Sequence, residues 1–186
     1  ISFKFNGKIY YGFKGDTLAS ALIANDIHLV GRSFKYHRPR GIMTAGSEEP
    51  NAIVQVNANT AYTEPNVRAT EIEIYEGLVA TSQNCWPNVR FDVGGINNIL
   101  SSFLPAGFYY KTFMWPASFW EKYEYLIRHS AGLGKSPKLA DPDIYDHKYI
   151  HCDVLVIGAG IAGIIAAKIA AKNNLKTLIL DEKTEI

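Results

Sequence analysis

The chain has 186 residues, with 19 Lys and Arg against 18 Asp and Glu, so its formal net charge is +1. A chain this close to neutral lacks the basic face that polyanion binding needs, which argues against a nucleic-acid partner. Its hydrophobic content of 47% is enough for a packed core and argues against disorder. Cys85 and Cys152 are too few for a disulfide framework or a thiolate metal site, and we expect both to be reduced, as in the cytoplasm.

The ends of the chain and its apolar stretches bear on where the protein resides. The chain begins with the strand-like segment ISFKF rather than with a signal peptide. Its longest apolar stretches, around Val154–Ile157 and Ile161–Ile169, are too short to cross a bilayer. The first residue is Ile rather than Met, and the last residues follow directly on a predicted strand. We therefore expect a fragment of a longer protein that has no membrane partner.

The N-terminal segment predicts a β-hairpin. Phe3 and Phe5 alternate with polar residues, which is the pattern of a half-buried strand. An Asn-Gly pair follows and is the strongest short signal for a hairpin turn. The returning strand is predicted at Ile9–Phe13.

A helix and further strands complete the first predicted domain. Asp16 or Thr17 can cap the helix. Its apolar positions are Leu18, Ala21, Leu22 and Ile27. Later strands are predicted at Ala52–Val56 and at Glu71–Tyr75, where apolar and acidic residues alternate. Two strands followed by a helix suggest an α+β fold of the β-grasp type, which we place at residues 1–80.

Residues 81–150 are predicted to connect this domain to the next one. The segment 103–125 is dense in aromatic residues, which we assign to a core and a subunit interface rather than to a membrane surface. An amphipathic helix is predicted over Ser118–Ser130, ended by the glycines that follow. The run Lys135–His151 has the proline and polar content of a linker.

Basic residues crowd into one short stretch. They are Arg32, Lys35, His37, Arg38 and Arg40. Because arginine forks match phosphate geometry, contact with a cofactor phosphate is one interpretation. We favour docking to another domain or subunit, with pairing to acids such as Glu48 and Glu49 as the plainer alternative. The histidines show no metal-ligand spacing, and no nucleophile with an adjacent base stands out, so neither a metal site nor a catalytic residue is predicted.

Residues 151–186 predict the first part of a Rossmann-type domain, giving the chain as a whole an α/β fold. Val154–Ile157 is a continuously apolar run, as in a parallel strand buried on both faces. A helix is predicted from Ile161 to Lys172, and a second apolar strand at Thr177–Leu180.

The loop between this strand and helix has the pattern GxGxxG, in which each glycine has a physical task. Gly158 makes the sharp turn, Gly160 lets the main chain approach a pyrophosphate, and Gly163 lets helix and strand pack closely. The exposed N–H groups and positive end of the helix then hold the phosphate charge. The residues predicted to contact a dinucleotide here are Gly158, Ala159, Gly160, Ile161, Ala162 and Gly163.

An acidic residue follows the second strand. Asp181 lies 23 residues after Gly158, near the spacing of about 20 that this motif shows. It is predicted to accept hydrogen bonds from the adenosine ribose, with Glu182 as the alternative. An acid at this point argues against the 2′-phosphate of NADP. The motif leaves NAD and FAD open, because both present the same ADP half.

Several strings of the sequence resemble the alpha subunits of heterotetrameric sarcosine oxidases. They are GRSFKYHRPRG at 31–41, GSEEPNA at 46–52, AGFYYKTF at 106–113 and CDVLVIG at 152–158. The resemblance runs in order along essentially the whole chain. Subunits of opine and amine dehydrogenases share the layout and are the related alternative.

The resemblance implies a ferredoxin-like β-grasp domain followed by a nucleotide-binding domain that holds NAD in this subunit. Gly158, Gly160, Gly163 and Asp181 would then contact NAD. It further implies FAD in a separate beta subunit, FMN between alpha and beta, gamma and delta subunits as further partners, and tetrahydrofolate bound beyond residue 186. Such a complex demethylates sarcosine to glycine, reduces oxygen to hydrogen peroxide, and passes the one-carbon unit to tetrahydrofolate or releases formaldehyde. We expect this part of the subunit to bind and organise, and to have no oxidase activity alone.

Ferredoxin-like domains often bind a [2Fe–2S] cluster through four thiolates. The loop where three of them would lie, around Gly31–Gly46, contains no cysteine, so we predict a domain without a cluster. Two other functions remain open from the sequence. One is a docking module without a nucleotide, and the other is a subunit of an FAD-dependent reductase.

Overall fold

The computed structural model describes residues 1–104, 107 and 115–182, so the centre of the predicted aromatic segment lies outside the described residues. The chain forms two compact units, Ile1–Pro142 and Asp143–Ile186. The strands are β1 Ser2–Phe5, β2 Lys8–Tyr11, β3 Gly31–Arg32, β4 Pro39–Arg40, β5 Ile53–Val56, β6 Glu64–Arg68, β7 Val79–Ser82, β8 Val154–Ile157 and β9 Thr177–Leu180. The α-helices are α1 Leu18–Ala24, α2 Ile96–Ile99, α3 Trp120–Ala131 and α4 Ile161–Lys172, with short 3₁₀ helices at Val93–Gly95, Ser101–Phe103 and Ala117–Phe119.

The first unit is built on a five-stranded sheet in the order β2-β1-β7-β5-β6. Strand β1 pairs parallel with β7, and the other neighbours are antiparallel. Helix α1 contributes Leu18 and Leu22 to a core that also holds Phe3 and Phe5 of β1 and Val54 of β5. This is the ferredoxin-like fold expected from the sequence.

Local chemistry explains the hairpin and the start of α1. Asn6 and Gly7 have φ of 49° and 80°, as a two-residue turn with both central residues left-handed requires. Thr17 caps α1 by accepting a hydrogen bond from the N–H of Ser20 at 3.1 Å. The helix ends at Ala24, so Ile27 lies beyond it rather than on its apolar face, although it still packs against the core.

The predicted strand at Glu71–Tyr75 is wrong. The alternation in this segment reflects burial of apolar side chains and not pairing with a neighbouring strand. Ile74 is 2% exposed, and its N–H donates to the carbonyl of Asp16. Glu73, which lies between the two isoleucines, forms only an isolated β-bridge with Thr17. The strands that extend the sheet are instead β6 and β7.

Two later predictions agree with the structure, the helix near residues 118–130 and the linker that follows it, whereas the short helices between Val93 and Phe103 were not predicted. Helix α3 is confirmed and ends at Gly132, whose φ of 65° closes it in the left-handed region. Residues 133–153, all of them described, contain no helix or strand, as expected of a linker. The predicted boundaries at residues 80 and 150 stay predictions, and β7 runs across the first of them.

The second unit contains the predicted strand, helix and strand. Strands β8 and β9 pair in parallel from Val154 with Thr177 to Ile157 with Leu180. Helix α4 connects them and packs on both. This order and the parallel pairing are those expected of the first part of a Rossmann-type domain. None of the helices in the described part of the chain is long and apolar enough to cross a membrane.

Candidate dinucleotide-binding site

The loop between β8 and α4 begins with a turn that requires glycine. Gly158 has φ of 98°, in the left-handed region that side chains rarely adopt. Its N–H donates to the carbonyl of Leu180 at 2.7 Å, which ties the start of the loop to the end of β9. The turn therefore directs the chain from the strand into the helix at a fixed point of the sheet edge.

Gly163 lies where helix and strand approach each other. A Cβ built on it would overlap the carbonyl oxygen of Gly158 and come within 3.2 Å of a methyl group of Val156. Because that oxygen belongs to the main chain, a side chain at Gly163 would force backbone to move. The close packing expected of the third glycine is present.

Gly160 differs from the other two glycines because the space beside it is open. It is the N-cap of α4, with φ of −64° and ψ of 173°, and no side chain caps the helix. A Cβ built on Gly160 would meet nothing within 4 Å. The first N–H groups of this twelve-residue helix therefore have no capping side chain among the described residues, and the helix dipole favours negative charge at this end.

Asp181 reaches this loop from the end of β9. Its Oδ2 accepts a hydrogen bond from the N–H of Ala159 at 2.6 Å, while Glu182 is exposed. The structure therefore brings the predicted acid and the predicted loop together. The motif does not indicate this hydrogen bond, although Asp181 follows the strand next to the loop and its short side chain can reach the N–H of Ala159. Binding of a cofactor by these residues stays a prediction.

The basic stretch lies in the first unit and is tied to a later loop. Arg32 donates from Nε to the carbonyl of Val89 at 2.8 Å and from Nη2 to the carbonyl of Arg90 at 3.0 Å. Nδ1 of His37 lies 2.6 Å from Oδ2 of Asp92, and both side chains are buried. These contacts hold the 31–40 hairpin against residues 89–92.

The plainer alternative supposed that Glu49 pairs with the basic stretch, but its carboxylate has other partners. Its buried carboxylate accepts hydrogen bonds from the main-chain N–H groups of Met43, Thr44, Asn51 and Ala52, and from the Thr44 hydroxyl. Burial alone raises the pKa of Glu49, but the hydrogen bonds from these N–H groups outweigh it, and the pKa lies below its ordinary value. One carboxylate therefore organises the whole 43–52 loop.

Two known families match the chain, one within each of its compact units. Residues 1–85 match a family described as a 2Fe-2S iron-sulfur cluster binding domain, and residues 153–186 match one described as an FAD binding domain. Together with the fold, these matches define an oxidoreductase subunit that joins a ferredoxin-like domain to the start of an FAD-binding domain.

The most similar relatives share one description. The sarcosine oxidase subunit alpha of Rhizobium meliloti (strain 1021) is 58% identical over 183 residues, which are 98% of this chain and 18% of that protein. Those of Corynebacterium sp. strains U-96 and P-1 are 33% and 34% identical over 97% of this chain and 14% of each protein. The chain belongs to the sarcosine oxidase alpha-subunit family, as its resemblance indicated. It spans less than a fifth of the length of these curated relatives.

The cofactor prediction made from the sequence is wrong on two counts. NAD was expected in this subunit, but residues 153–186 match an FAD-binding family. A domain without a cluster was expected, but residues 1–85 match a cluster-binding family. The first error came from the resemblance, and the GxGxxG loop could not correct it, because that loop contacts the ADP half that both dinucleotides share. The second prediction rested on the absence of cysteine from one loop of this chain, whereas the family match covers the whole of residues 1–85.

The donor set of this chain does not itself fit a [2Fe–2S] cluster. Such clusters take four thiolates, and the sequence contains two cysteines. Burial raises the pKa of the Cys85 thiol, Asp92 raises it further, and Arg32 opposes both, so the thiolate is disfavoured. Among the residues that the structure describes, no three His, Cys, Asp or Glu side chains are grouped to hold a metal ion. We derive no electron-transfer step through a cluster.

Proposed function

We propose that this chain forms the part of a sarcosine oxidase alpha subunit that anchors the ADP half of FAD. The observation that carries the proposal is the uncapped N-terminus of α4 behind the open space at Gly160. Main-chain N–H groups at that point would bind the pyrophosphate, and the missing Cβ leaves room for it. The match of residues 153–186 to an FAD binding domain supports the choice of dinucleotide.

Asp181 would bind the ribose in this proposal. Its carboxylate accepts from Ala159 N–H, so it is already held beside the loop. A carboxylate in that place can accept hydrogen bonds from ribose hydroxyls and repels a 2′-phosphate. FAD, when bound, supplies a two-electron acceptor, while the residues of this chain bind and orient it. No catalytic residue is assigned to this part of the subunit.

For the whole complex we propose oxidative demethylation of sarcosine. The N-methyl carbon is oxidised and oxygen is reduced to hydrogen peroxide. One water is consumed when the products are glycine and formaldehyde, and none is consumed in net terms when the one-carbon unit passes to tetrahydrofolate. The names of the relatives support the substrate. We place the chemistry in a beta subunit, with gamma and delta subunits as further partners. Both thiols of this chain are free, which agrees with the cytoplasmic location we propose.

Two alanine variants of the full-length alpha subunit, purified alone so that no flavin of another subunit contributes, test the site. Gly160→Ala places a methyl group in space that is empty here, so the fold should persist while FAD occupancy falls by at least about tenfold. Gly163→Ala should lower occupancy and also disturb the packing of α4 on β8, because its methyl group meets main chain. Occupancy is measured by flavin absorbance and mass spectrometry, and the fold by circular dichroism.

Lys172→Ala, at the far end of the same helix, is the control and should keep full occupancy. Wild-type FAD content in Gly160→Ala would contradict the proposed site. Loss of flavin in Lys172→Ala to the same extent would mean that the variants report stability of the unit rather than ligand contact.

A further inference from the structure

The first unit contains a cleft of about 720 Å³ that the proposed function does not use. It lies between the β1–β2 hairpin, the turn after α1 and the loop at residues 85–90. Its apolar lining residues are Phe5, Tyr10, Ile27, Leu29, Pro87 and Val89. A volume of this size is in the range of small-molecule sites, which are mostly apolar with a few placed polar groups.

Two positive charges line the cleft without a protein partner. No described residue makes a hydrogen bond, ion pair or ring contact with the side-chain nitrogens of Lys8 or Arg90, and both residues are exposed. The one acid in the lining, Asp26, lies 2.9 Å from Nε2 of His28. The cleft therefore combines an apolar surface with two basic side chains and one acidic side chain, a formal charge of +1 with His28 neutral.

The loop that presents Arg90 is fixed in place. The N–H of Arg90 donates to Oδ1 of Asn88 at 3.0 Å, and the carbonyl of Arg90 accepts from Nη2 of Arg32 at 3.0 Å. Arg32 also holds the preceding residue through the carbonyl of Val89. The main chain at Arg90 is thus held at three points, so binding orders the side chain alone, and its guanidinium can make a bidentate contact with an anion.

We propose that this cleft binds a small organic anion with a planar apolar body. The apolar body would lie against Phe5, Tyr10 and Val89, and its carboxylate, phosphate or sulfonate would pair with Lys8 and Arg90. Both parts of such a ligand are matched. The arginine fork donates hydrogen bonds to planar or tetrahedral oxyanions, and the apolar walls remove the ring of the ligand from water. All of these residues belong to the ferredoxin-like unit, so the inference stands independently of FAD binding.

Cys85 supplies a built-in reporter for the site. Its partly exposed thiol lines the same cleft, so a bound ligand should shield it from alkylation. Cys152 belongs to the other compact unit and serves as an internal reference. Peptide mass spectrometry distinguishes the two thiols in the full-length protein.

The probes are 8-anilinonaphthalene-1-sulfonate and the uncharged N-phenyl-1-naphthylamine, which differ by one sulfonate. The full-length subunit in its complex is alkylated with iodoacetamide with and without each probe. At about ten times its Kd, the sulfonate probe should slow Cys85 alkylation about tenfold and leave Cys152 unchanged. The uncharged probe should protect much less at the same concentration.

Variants decide whether the two cations recognise the anion. Lys8→Met combined with Arg90→Met should abolish the difference between the probes. The fold should be unchanged, because the side-chain nitrogens of Lys8 and Arg90 make no hydrogen bond or ion pair with the described residues and methionine keeps most of each aliphatic stem. Lys14→Met, an exposed lysine outside the cleft, should behave as wild type. Equal protection by both probes, no protection, or a Cys85 that is unreactive in the native complex because protein covers the cleft would each overturn the proposal.

Discussion

The two compact units bury their apolar residues to very different degrees. In the first, Phe3, Leu18 and Leu22 are fully buried in one core. In the second, only two alanines are buried among the described apolar residues, and Ile157 and Ile161 are 82% exposed. The ferredoxin-like unit therefore carries its own core, whereas strands β8 and β9 with α4 leave an apolar face that requires further structure. We propose that the remaining length of such alpha subunits supplies it.

The largest expected effect is on independent folding. Residues 1–142, produced alone, should unfold in one cooperative thermal transition with dispersed amide signals in NMR spectra. Residues 143–186, produced alone, should show neither, because burial of two alanines cannot offset the conformational entropy of ordering the segment. A cooperative transition in the shorter fragment would contradict the difference between the units.

Removal of a core side chain from the first unit should be the next largest effect. Phe3→Ala in the 1–142 fragment should lower the free energy of unfolding by about 3–5 kcal/mol, because a buried ring is replaced by a cavity. Phe13→Ala removes the same ring where it is 83% exposed and should change stability by less than about 0.5 kcal/mol. Urea denaturation measures both, and similar losses would argue against the core as described.

A smaller loss is expected when the organising carboxylate of the 43–52 loop is neutralised. Glu49→Gln places an amide among main-chain N–H donors, so at least one charge-assisted hydrogen bond is lost and a donor faces donors. The expected loss in the 1–142 fragment is about 1.5–3 kcal/mol. Glu48→Gln changes the exposed neighbour and is the matched control, which should unfold like wild type.

The same carboxylate predicts a dependence on pH. Because the folded-state pKa of Glu49 is lowered, its ionised form stabilises the fold above the ordinary carboxyl pKa of 4.5, and this contribution is lost as the pH falls below that value. The stability difference between wild type and Glu49→Gln should therefore shrink on acidification from pH 7 towards pH 3. Denaturant midpoints measured across that range give the difference, and a gap that does not change with pH would refute the assignment.

The sequence predicted those elements whose signals are local. The Asn-Gly turn, the Thr17 cap and the Gly132 stop each act on neighbouring residues, and the corresponding hairpin and helices are present. The strand predicted at Glu71–Tyr75 failed because alternation records which side chains are buried, and ladder pairing depends on distant residues. Strand β6 escaped detection because Pro65 and the left-handed Asn66, with φ of 61°, are atypical of strands.

The candidate site likewise has features that local signals predict and features that depend on distant residues. The positions of Gly158 and Gly163 follow from backbone requirements, which a motif can express. The contact between Asp181 and Ala159 depends on the register of β8 against β9, and the lining of the cleft comes from segments far apart in sequence. Neither leaves a periodic signal. NAD was assigned from the family resemblance, and the motif could not correct it, because the half that distinguishes NAD from FAD contacts none of the residues in the motif.

The most direct test of the account identifies the nucleotide that the subunit binds. The full-length alpha subunit is purified alone, denatured, and the released small molecules are identified and quantified by mass spectrometry. The account predicts FAD in equimolar amount, and its loss from the Gly160→Ala variant. NAD in place of FAD, or a protein without any nucleotide, would contradict the proposal that the loop from Gly158 to Gly163 anchors FAD.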